Sequence, residues 1–150
     1  MPRTGRAANR VVAPLLASRA HHLLSFRLML LRYAGRRTGR RYTIPVAYTW
    51  CGDGEVLATS DRPVWAVNLV GGEPVRLRIR GRWYDATPTV VTEPAAVAEE
   101  LTELVRHRPR AAGALRIGLP RFRSPTPEEL RRVAGRVLVA RFKLIGPSNR

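Results

Sequence analysis

The chain has 150 residues, the length of one domain, and 45% of them are hydrophobic, which supports a packed core and excludes a disordered chain. The formal net charge is +16, and arginine supplies nearly all of it because Lys143 is the only lysine. Such a surface attracts phosphates, nucleic acids or anionic lipids, although a GC-rich genome would write many arginines without any function. The single cysteine, Cys51, excludes an internal disulfide and a multi-cysteine metal site, as is typical of a reducing compartment.

The N-terminal stretch has the spacing of a helix. Apolar residues recur at near-helical intervals between about residues 8 and 24, and they predict a helical arm over residues 1–25. The apolar patch from Val11 to Ala17 is short, contains Pro14 and lacks a following A-x-A site, so we expect no signal peptide and no transmembrane helix. We therefore expect a cytoplasmic protein, and the arginines that flank the leucines leave open a peripheral contact with anionic membrane.

A hairpin is predicted next. Residues 26–34 alternate in hydrophobicity and predict a strand, the arginine-rich turn follows, and residues 42–50 predict the return strand. Pro45 indicates an edge or a bulge, because proline cannot donate to the ladder. Residues 51–55 predict a second turn, and a short buried strand, "VLATS", follows it.

The middle of the chain predicts a short helix and another hairpin. Residues 62–72 read as one or two helical turns that end at the glycine pair, and residues 73–91 read as two strands joined at Gly81-Arg82. Alternation gives the first of these strands an apolar face and a basic face. The basic face consists of Arg76, Arg78 and Arg80.

The last third predicts two helices and a final strand. The first helix starts at Thr92, and the second follows a capping box formed by Thr126 and Glu129. The whole order predicts one mainly β domain with peripheral helices (α+β), a small closed or half-closed six-stranded barrel rather than a doubly wound sheet. We divide residues 1–150 into the helical arm, a barrel core (26–92), a helical insertion (93–135) and a closing strand (136–145).

Side chains able to do acid–base, nucleophilic or metal chemistry are scattered. Most of the 11 acidic residues lie on predicted helices and caps, and the three histidines lack the spacing of metal ligands. No G-x-S-x-G motif is present, and Cys51 has no neighbouring base in the sequence. We therefore expect no catalytic side chain and no metal site, and a bound cofactor that supplies the chemistry.

The arginine turn "GRRTGRR", residues 35–41, is the candidate site. Gly35 and Gly39 allow backbone amides to point inward, Thr38 offers a hydroxyl, and the arginines offer planar forks for phosphate or carboxylate. From the residues alone, a solvated basic turn without a ligand stays an equal alternative.

Three stretches together resemble a known family. "HHLLSFRLMLLRYAGRRTGRRYTIPVAY", "VWAVNL" and "GEPVRLRIRGRWYDA" are similar to the deazaflavin-dependent nitroreductase family, the actinobacterial split β-barrel oxidoreductases. The resemblance is close over residues 20–90. It implies a flavin-binding split-barrel fold and an oxidoreductase. This enzyme would pass a hydride from a reduced 8-hydroxy-5-deazaflavin coenzyme to a quinone, a nitroarene or an enone.

The resemblance also implies a set of cofactor-binding residues. The turn would hold the coenzyme's phosphate and acidic tail, two strand segments would lie beside the ring, and the W-x-x-N-L segment would complete the site. These residues are Arg36, Arg37, Thr38, Gly39 and Arg41 in the turn, Pro45 and Val46 on one strand, Ala58, Thr59 and Ser60 on the other, and Trp65 with Asn68. A core aromatic is an equal interpretation of Trp65, and a cap on the next turn is an alternative for Asn68.

Other readings stay open. A split barrel that binds flavin mononucleotide (FMN) or haem without this activity would share the fold. A basic nucleic-acid-binding module would use the basic face with Trp83 and Tyr84, although we expect no specific nucleic acid. Because split barrels are often dimers, a homodimer is also possible.

Overall fold

The computed structural model describes residues 28–61, 65–109, 111–115, 117–120 and 123–147, so the predicted helical arm over residues 1–25 lies outside the described residues. Six strands, two α-helices and two short 3₁₀ helices lie within the described residues. The strands are β1 (Leu28–Ala34), β2 (Arg41–Gly52), β3 (Glu55–Asp61), β4 (Val75–Ile79), β5 (Arg82–Val91) and β6 (Val137–Pro147). The helices are α1 (Pro94–His107), α2 (Pro127–Ala134) and the 3₁₀ helices Trp65–Leu69 and Ala111–Leu115.

The strands form a closed antiparallel barrel in the order β1-β2-β3-β6-β5-β4. Short hairpins join β1 to β2, β2 to β3 and β4 to β5, while β6 returns from the helices to lie between β3 and β5. Strand β4 closes the barrel by pairing with β1 from Leu30↔Arg78 to Arg32↔Arg76. The predicted mainly β fold, a six-stranded barrel with peripheral helices, is confirmed.

Strand β2 changes partner along its 12 residues. Its first half pairs with β1, from Leu28↔Ala47 to Ala34↔Arg41, and its second half pairs with β3 up to Tyr48↔Ala58. Strand β3 continues beyond that point only with β6, as far as Asp61↔Val137. Among the described residues, the barrel wall therefore has a split between residues 41–47 of β2 and residues 59–61 of β3.

Two apolar clusters lie on opposite sides of the barrel wall. The barrel core is inside and receives side chains from all six strands and from the first 3₁₀ helix; it is made of Met29, Leu31, Val46, Tyr48, Val56, Ala58, Trp65, Ala66, Leu69, Val75, Leu77, Ile79, Ala86, Leu138, Ala140 and Phe142. The helix-side core is outside, where α1 and α2 cover the outward residues of β3 and β6, among them Leu57, Val137 and Val139. Because strand side chains alternate, one strand serves both cores.

The structure corrects two predicted boundaries. The turn between β4 and β5 is Arg80-Gly81 rather than Gly81-Arg82, since Ile79 pairs with Arg82. Both turn residues have positive φ, 51° and 81°, as a type I′ hairpin turn requires. The prediction had placed Arg80 in the strand because the arginines alternate up to it. Helix α1 begins at Pro94 with Glu93 as its N-cap, two residues later than the predicted start at Thr92.

The predicted capping box at the start of α2 is confirmed: the amide of Glu129 donates to Thr126 Oγ1 (3.2 Å), and the amide of Thr126 donates to Glu129 Oε1 (2.9 Å). Within the described ranges, no helix has both the length and the apolar character needed to span a bilayer.

Candidate functional site

The arginine turn has a shape that its backbone sets. The amide of Gly35 donates to the carbonyl of Arg40 (2.7 Å), the amide of Gly39 donates to the carbonyl of Gly35 (2.8 Å), and the amide of Arg40 donates to Thr38 Oγ1 (3.2 Å). Gly39 has a φ of 70°, a conformation that favours glycine. The turn therefore keeps its form without help from any arginine side chain.

The arginine side chains of this turn project into solvent. Arg36, Arg37, Arg40 and Arg41 are all exposed. None of them has an ion-pair partner among the described residues. Four uncompensated guanidinium groups repel one another in this conformation, so a bound anion would lower the energy of the folded turn.

Asn68 fixes the turn to the first 3₁₀ helix. Its Oδ1 accepts from the backbone amide of Arg36 (3.0 Å), and its Nδ2 donates to the carbonyl of Trp65 (3.4 Å). The W-x-x-N spacing thus connects one turn of helix to a segment 32 positions earlier. Asn68 positions the arginine turn instead of simply capping the loop that follows it.

Two clefts lie beside the turn. The turn cleft, about 380 Å³, is lined by Gly35, Arg36 and Asn68 together with residues 69–71 and Glu73. The arginine cleft, about 370 Å³, is lined by Arg32, Tyr33, Arg41, Arg76 and Asp85. Both clefts also touch Ala34, Pro74 and Val75, so they are neighbours across a shared ridge. Each has the volume of a small-molecule site.

The residues predicted to contact the ring of the coenzyme form a second group, and none of them lines these clefts. Val46, Ala58 and Trp65 belong to the barrel core, where the Trp65 ring stacks 6.3 Å from that of Phe142. Trp65 is 6% exposed, so its side chain is a core aromatic. Sequence reasoning could not separate this role from a ligand contact because a tryptophan serves both.

The strand positions of this second group border the split in the wall. Pro45 is half-buried and pairs with Leu30, while Thr59 and Ser60 pair with β6. In the register of the β2–β3 ladder, Val46 would face Ser60 and Ala47 would face Thr59, just past the last pair. The predicted segments on β2 and β3 therefore lie on the two sides of the same opening.

The arginine cleft contains residues that the sequence-based site lacked. Arg32 Nε donates to Thr43 Oγ1 (3.3 Å), and the Arg32 guanidinium lies 4.4 Å from the centre of the Trp83 ring. Arg76 forms an ion pair with Asp85 at 3.6 Å. Alternation alone predicted that Arg76 points outward. The pairing of β4 with β1, which brings Arg76 beside Arg32, was not predicted.

Burial raises the pKa of two weak acids, the Tyr33 hydroxyl in the arginine cleft and the Cys51 thiol on the helix side of the barrel, so both keep their protons at neutral pH. Burial, with a smaller contribution from Tyr42, raises the pKa of Tyr33, whose ring stacks on Tyr42 at 5.4 Å. Burial likewise raises the pKa of the Cys51 thiol, more than Arg141 lowers it, so the thiol is a poor nucleophile. No group of three His, Cys, Asp or Glu residues suited to a metal occurs in the described part of the chain.

The family comparison identifies relatives of this chain. Residues 6–113 match the model of the F420H(2)-dependent quinone reductase family. No curated protein matches the sequence significantly.

Solved structures share the architecture at low identity. A protein assigned to 5-nitroimidazole antibiotic resistance from Bacteroides thetaiotaomicron has a TM-score of 0.50 at 10% identity, covering 86% of this chain and 80% of that one. An F420 reductase has a TM-score of 0.48 at 11% identity, covering 83% and 90%. A conserved hypothetical protein from Mycobacterium tuberculosis has a TM-score of 0.48 at 16% identity, covering 83% and 78%. At 10% identity, the likeness to the Bacteroides protein concerns the fold alone.

Proposed function

The chain belongs to the F420H(2)-dependent quinone reductase family, and we propose that its acceptor is a small quinone-like molecule. The protein is accordingly an oxidoreductase that uses a deazaflavin coenzyme, as the resemblance implied. The family match supports the acceptor, and the arginine turn supports the anionic coenzyme. In this turn, four exposed arginines without carboxylate partners among the described residues are fixed to the 3₁₀ helix by Asn68. A nitroarene or an enone would be reduced by the same hydride transfer, so the acceptor is decided by experiment.

The turn fits the anionic end of the coenzyme. Phosphate and carboxylate oxygens accept best from planar guanidinium forks. Arg36 lines the turn cleft, and Arg37 follows it in the exposed turn. Thr38 and Gly39 complete the turn, and their hydrogen bonds hold its backbone in place. The fixed turn means that little backbone order is lost when an anion binds.

The split in the barrel wall fits the planar end. We assign the coenzyme ring to the opening between Pro45–Val46 and Ala58–Ser60, above the apolar barrel core. The reduced coenzyme supplies the hydride there. The chain's part is to orient the ring and exclude water, while solvent provides the acceptor's proton.

The nucleic-acid alternative has less support. Trp83, one of the two aromatics that would stack bases, already carries the Arg32 guanidinium over its ring, and Tyr84 carries that of Arg82. Arg76 on the same basic face is paired with Asp85. A single-stranded nucleic acid would have to displace these contacts to use this surface.

Binding of the coenzyme tests the turn directly. Titration of the protein with oxidised deazaflavin coenzyme, followed by tryptophan fluorescence, should show binding, and a parallel titration with FMN should show weaker binding. Arg36→Ala with Arg37→Ala should weaken coenzyme binding about 100-fold, since two charge-assisted contacts are lost. Arg108→Ala with Arg131→Ala, the same charge change elsewhere, is the matched control. Equal binding by the turn variant and the control would remove the turn from the site.

Turnover tests the acceptor. Under anaerobic conditions, the reduced coenzyme should be oxidised faster with a menaquinone analogue than with a nitroarene or an enone. A faster rate with either of the others would keep the oxidoreductase and replace the proposed acceptor. Tighter binding of FMN would overturn the coenzyme assignment while leaving the fold unchanged.

A further inference from the structure

The arginine cleft is strongly cationic. Three guanidinium groups, those of Arg32, Arg41 and Arg76, line it together with one carboxylate, that of Asp85. Among the described residues, the Asp85 carboxylate forms an ion pair with Arg76 Nε alone, at 3.6 Å. Side-chain exposures of 29% for Arg76 and 45% for Asp85 make this a screened pair. Positive charge therefore remains uncompensated on this face of the barrel.

Arg32 is held in place by two contacts that do not use the terminal nitrogens of its guanidinium group. Its Nε donates to Thr43 Oγ1 and its guanidinium carbon lies over the Trp83 ring, and neither contact is a hydrogen bond of the two terminal nitrogens. Among the described residues no carboxylate accepts from them. A guanidinium that is oriented through its Nε and by an aromatic ring loses little freedom when its terminal nitrogens bind an oxyanion.

A second cation lies against the same ring. The Arg78 guanidinium is 5.7 Å from the centre of the Trp83 ring, and its buried Nε has no hydrogen-bond partner among the described residues. Two guanidinium groups on one indole repel each other, and a buried donor without an acceptor costs free energy. An anion bound near Arg32 would reduce that repulsion.

The register explains why these groups meet. Thr43, Arg32, Arg76 and Asp85 pair successively across β2, β1, β4 and β5, so they form one row on the outer face of the barrel. This row lies next to the turn cleft, from which only the shared ridge of Ala34 and Pro74 separates it. An extended acidic chain that starts at the arginine turn would reach the row by crossing this ridge.

We propose that the arginine cleft is a second anion-binding subsite, which takes successive carboxylates of the coenzyme's acidic tail beyond the part held at the turn. This inference rests on the proposed function, because it needs a coenzyme in the turn cleft. A free inorganic polyphosphate also carries a run of closely spaced oxyanions, so it would fit the same subsite.

The test compares two forms of the coenzyme, one with its full acidic tail and one shortened to the phosphate. Both are titrated against the native protein, the Arg32→Gln/Arg76→Gln variant and the Arg108→Gln/Arg131→Gln control. Fluorescence reports binding, and Trp83→Phe shows which part of the signal comes from the indole beneath Arg32. Near-ultraviolet circular dichroism confirms that each variant is folded.

The subsite requires that the cleft variant lose about tenfold in affinity for the full-tail form and keep its affinity for the shortened form. Equal loss for both forms, or no loss for either, would overturn it. If neither form binds the native protein, the proposed function fails instead. Titration with inorganic tripolyphosphate then tests the arginine cleft alone. If tripolyphosphate binds the native protein and not the cleft variant, the cleft is an anion site for another ligand. If tripolyphosphate binds both equally, the cleft is not an anion site.

Discussion

The arginines on the two sides of the barrel have opposite surroundings. On the helix side, Arg141 Nη1 donates to Glu100 (3.1 Å) and Arg141 Nη2 to Glu55 (3.2 Å), and Arg123 forms two bonds with Glu129 at 2.8 and 3.0 Å. On the other side, the turn arginines have no carboxylate partner among the described residues. Arginine thus joins α1 to the barrel on the helix side, through Arg141. In the arginine turn it remains available to a ligand.

The difference shows that the distribution of charge is more informative than its total. A compositional bias toward arginine would place unpaired arginines anywhere on the surface. Here the carboxylates of α1 and α2 neutralise Arg106 and Arg132, although Arg108 and Arg131 on the same side have no ion-pair partner among the described residues. What sets Arg32, Arg36 and Arg41 apart is that they line two adjoining clefts. We therefore attribute the clustering to a ligand and the remaining excess to composition.

The largest effect on stability is expected at Arg141. Arg141→Gln breaks contacts with Glu55 and Glu100, which join β3, β6 and α1, and should lower the unfolding free energy by about 1.5 kcal/mol. Coenzyme affinity should change less than twofold. Urea denaturation measures the unfolding free energy, with Arg131→Gln as the control. A stable variant with weakened coenzyme binding would contradict the division between the two sides.

A smaller effect is expected at Asn68. Asn68→Ala removes the acceptor for the amide of Arg36 and should weaken coenzyme binding by about fivefold, or roughly 1 kcal/mol, because the turn loses its anchor. Val67→Ala changes an exposed neighbour on the same 3₁₀ helix and serves as the control. Identical affinities for the two variants would show that the turn needs no anchor.

Removal of the turn arginines should hardly affect folding. Arg36→Gln with Arg37→Gln should change the unfolding free energy by less than about 0.5 kcal/mol, since neither side chain has an ion-pair partner to lose. Added salt should stabilise the native protein slightly more than this variant, because it screens repulsion that the variant has already lost. A marked loss of stability would mean that the turn arginines have a structural role.

The smallest effect is expected for the contribution of Glu129 to stability at low pH. Hydrogen bonds from Arg123 and Thr126 lower the pKa of Glu129 to about 2. Since the folded pKa lies below the unfolded value near 4.5, this carboxylate stabilises the fold above pH 4.5, and the contribution is lost as the pH falls toward 2. The difference in melting temperature between the native protein and Glu129→Gln should therefore shrink over that interval. A difference that is independent of pH would contradict the role of the charge.

Much of the fold was predictable because its signals are local. Alternation located the strands, and the Thr126–Glu129 spacing located the capping box. The turn at Arg80 was misplaced by one residue because arginine rarely adopts positive φ, so the pattern continued the strand through it. The pairing of β4 with β1, which closes the barrel, is a long-range event that no local pattern predicts.

The candidate site likewise has parts with a local sequence signal and parts that depend on long-range contacts. The glycines and arginines of the turn form a local pattern, whereas Asn68 and the positions on β2 and β3 came from the resemblance. Arg32 was missed because its role depends on Thr43, Arg76 and Trp83, which lie on three other strands. The carboxylate partners of Arg141 lie 41 and 86 positions away, so the sequence could not show which arginines are neutralised.

The ladder that closes the barrel is also short. Three residue pairs join β1 to β4, whereas seven join β1 to β2, so brief openings should occur there first, and the amides of this ladder should exchange with solvent sooner than their neighbours. Arg32 and Arg76 are one of these three pairs. An anion that bridges them would clamp the ladder shut and slow its hydrogen exchange, so an occupied arginine cleft would make the whole barrel slower to open.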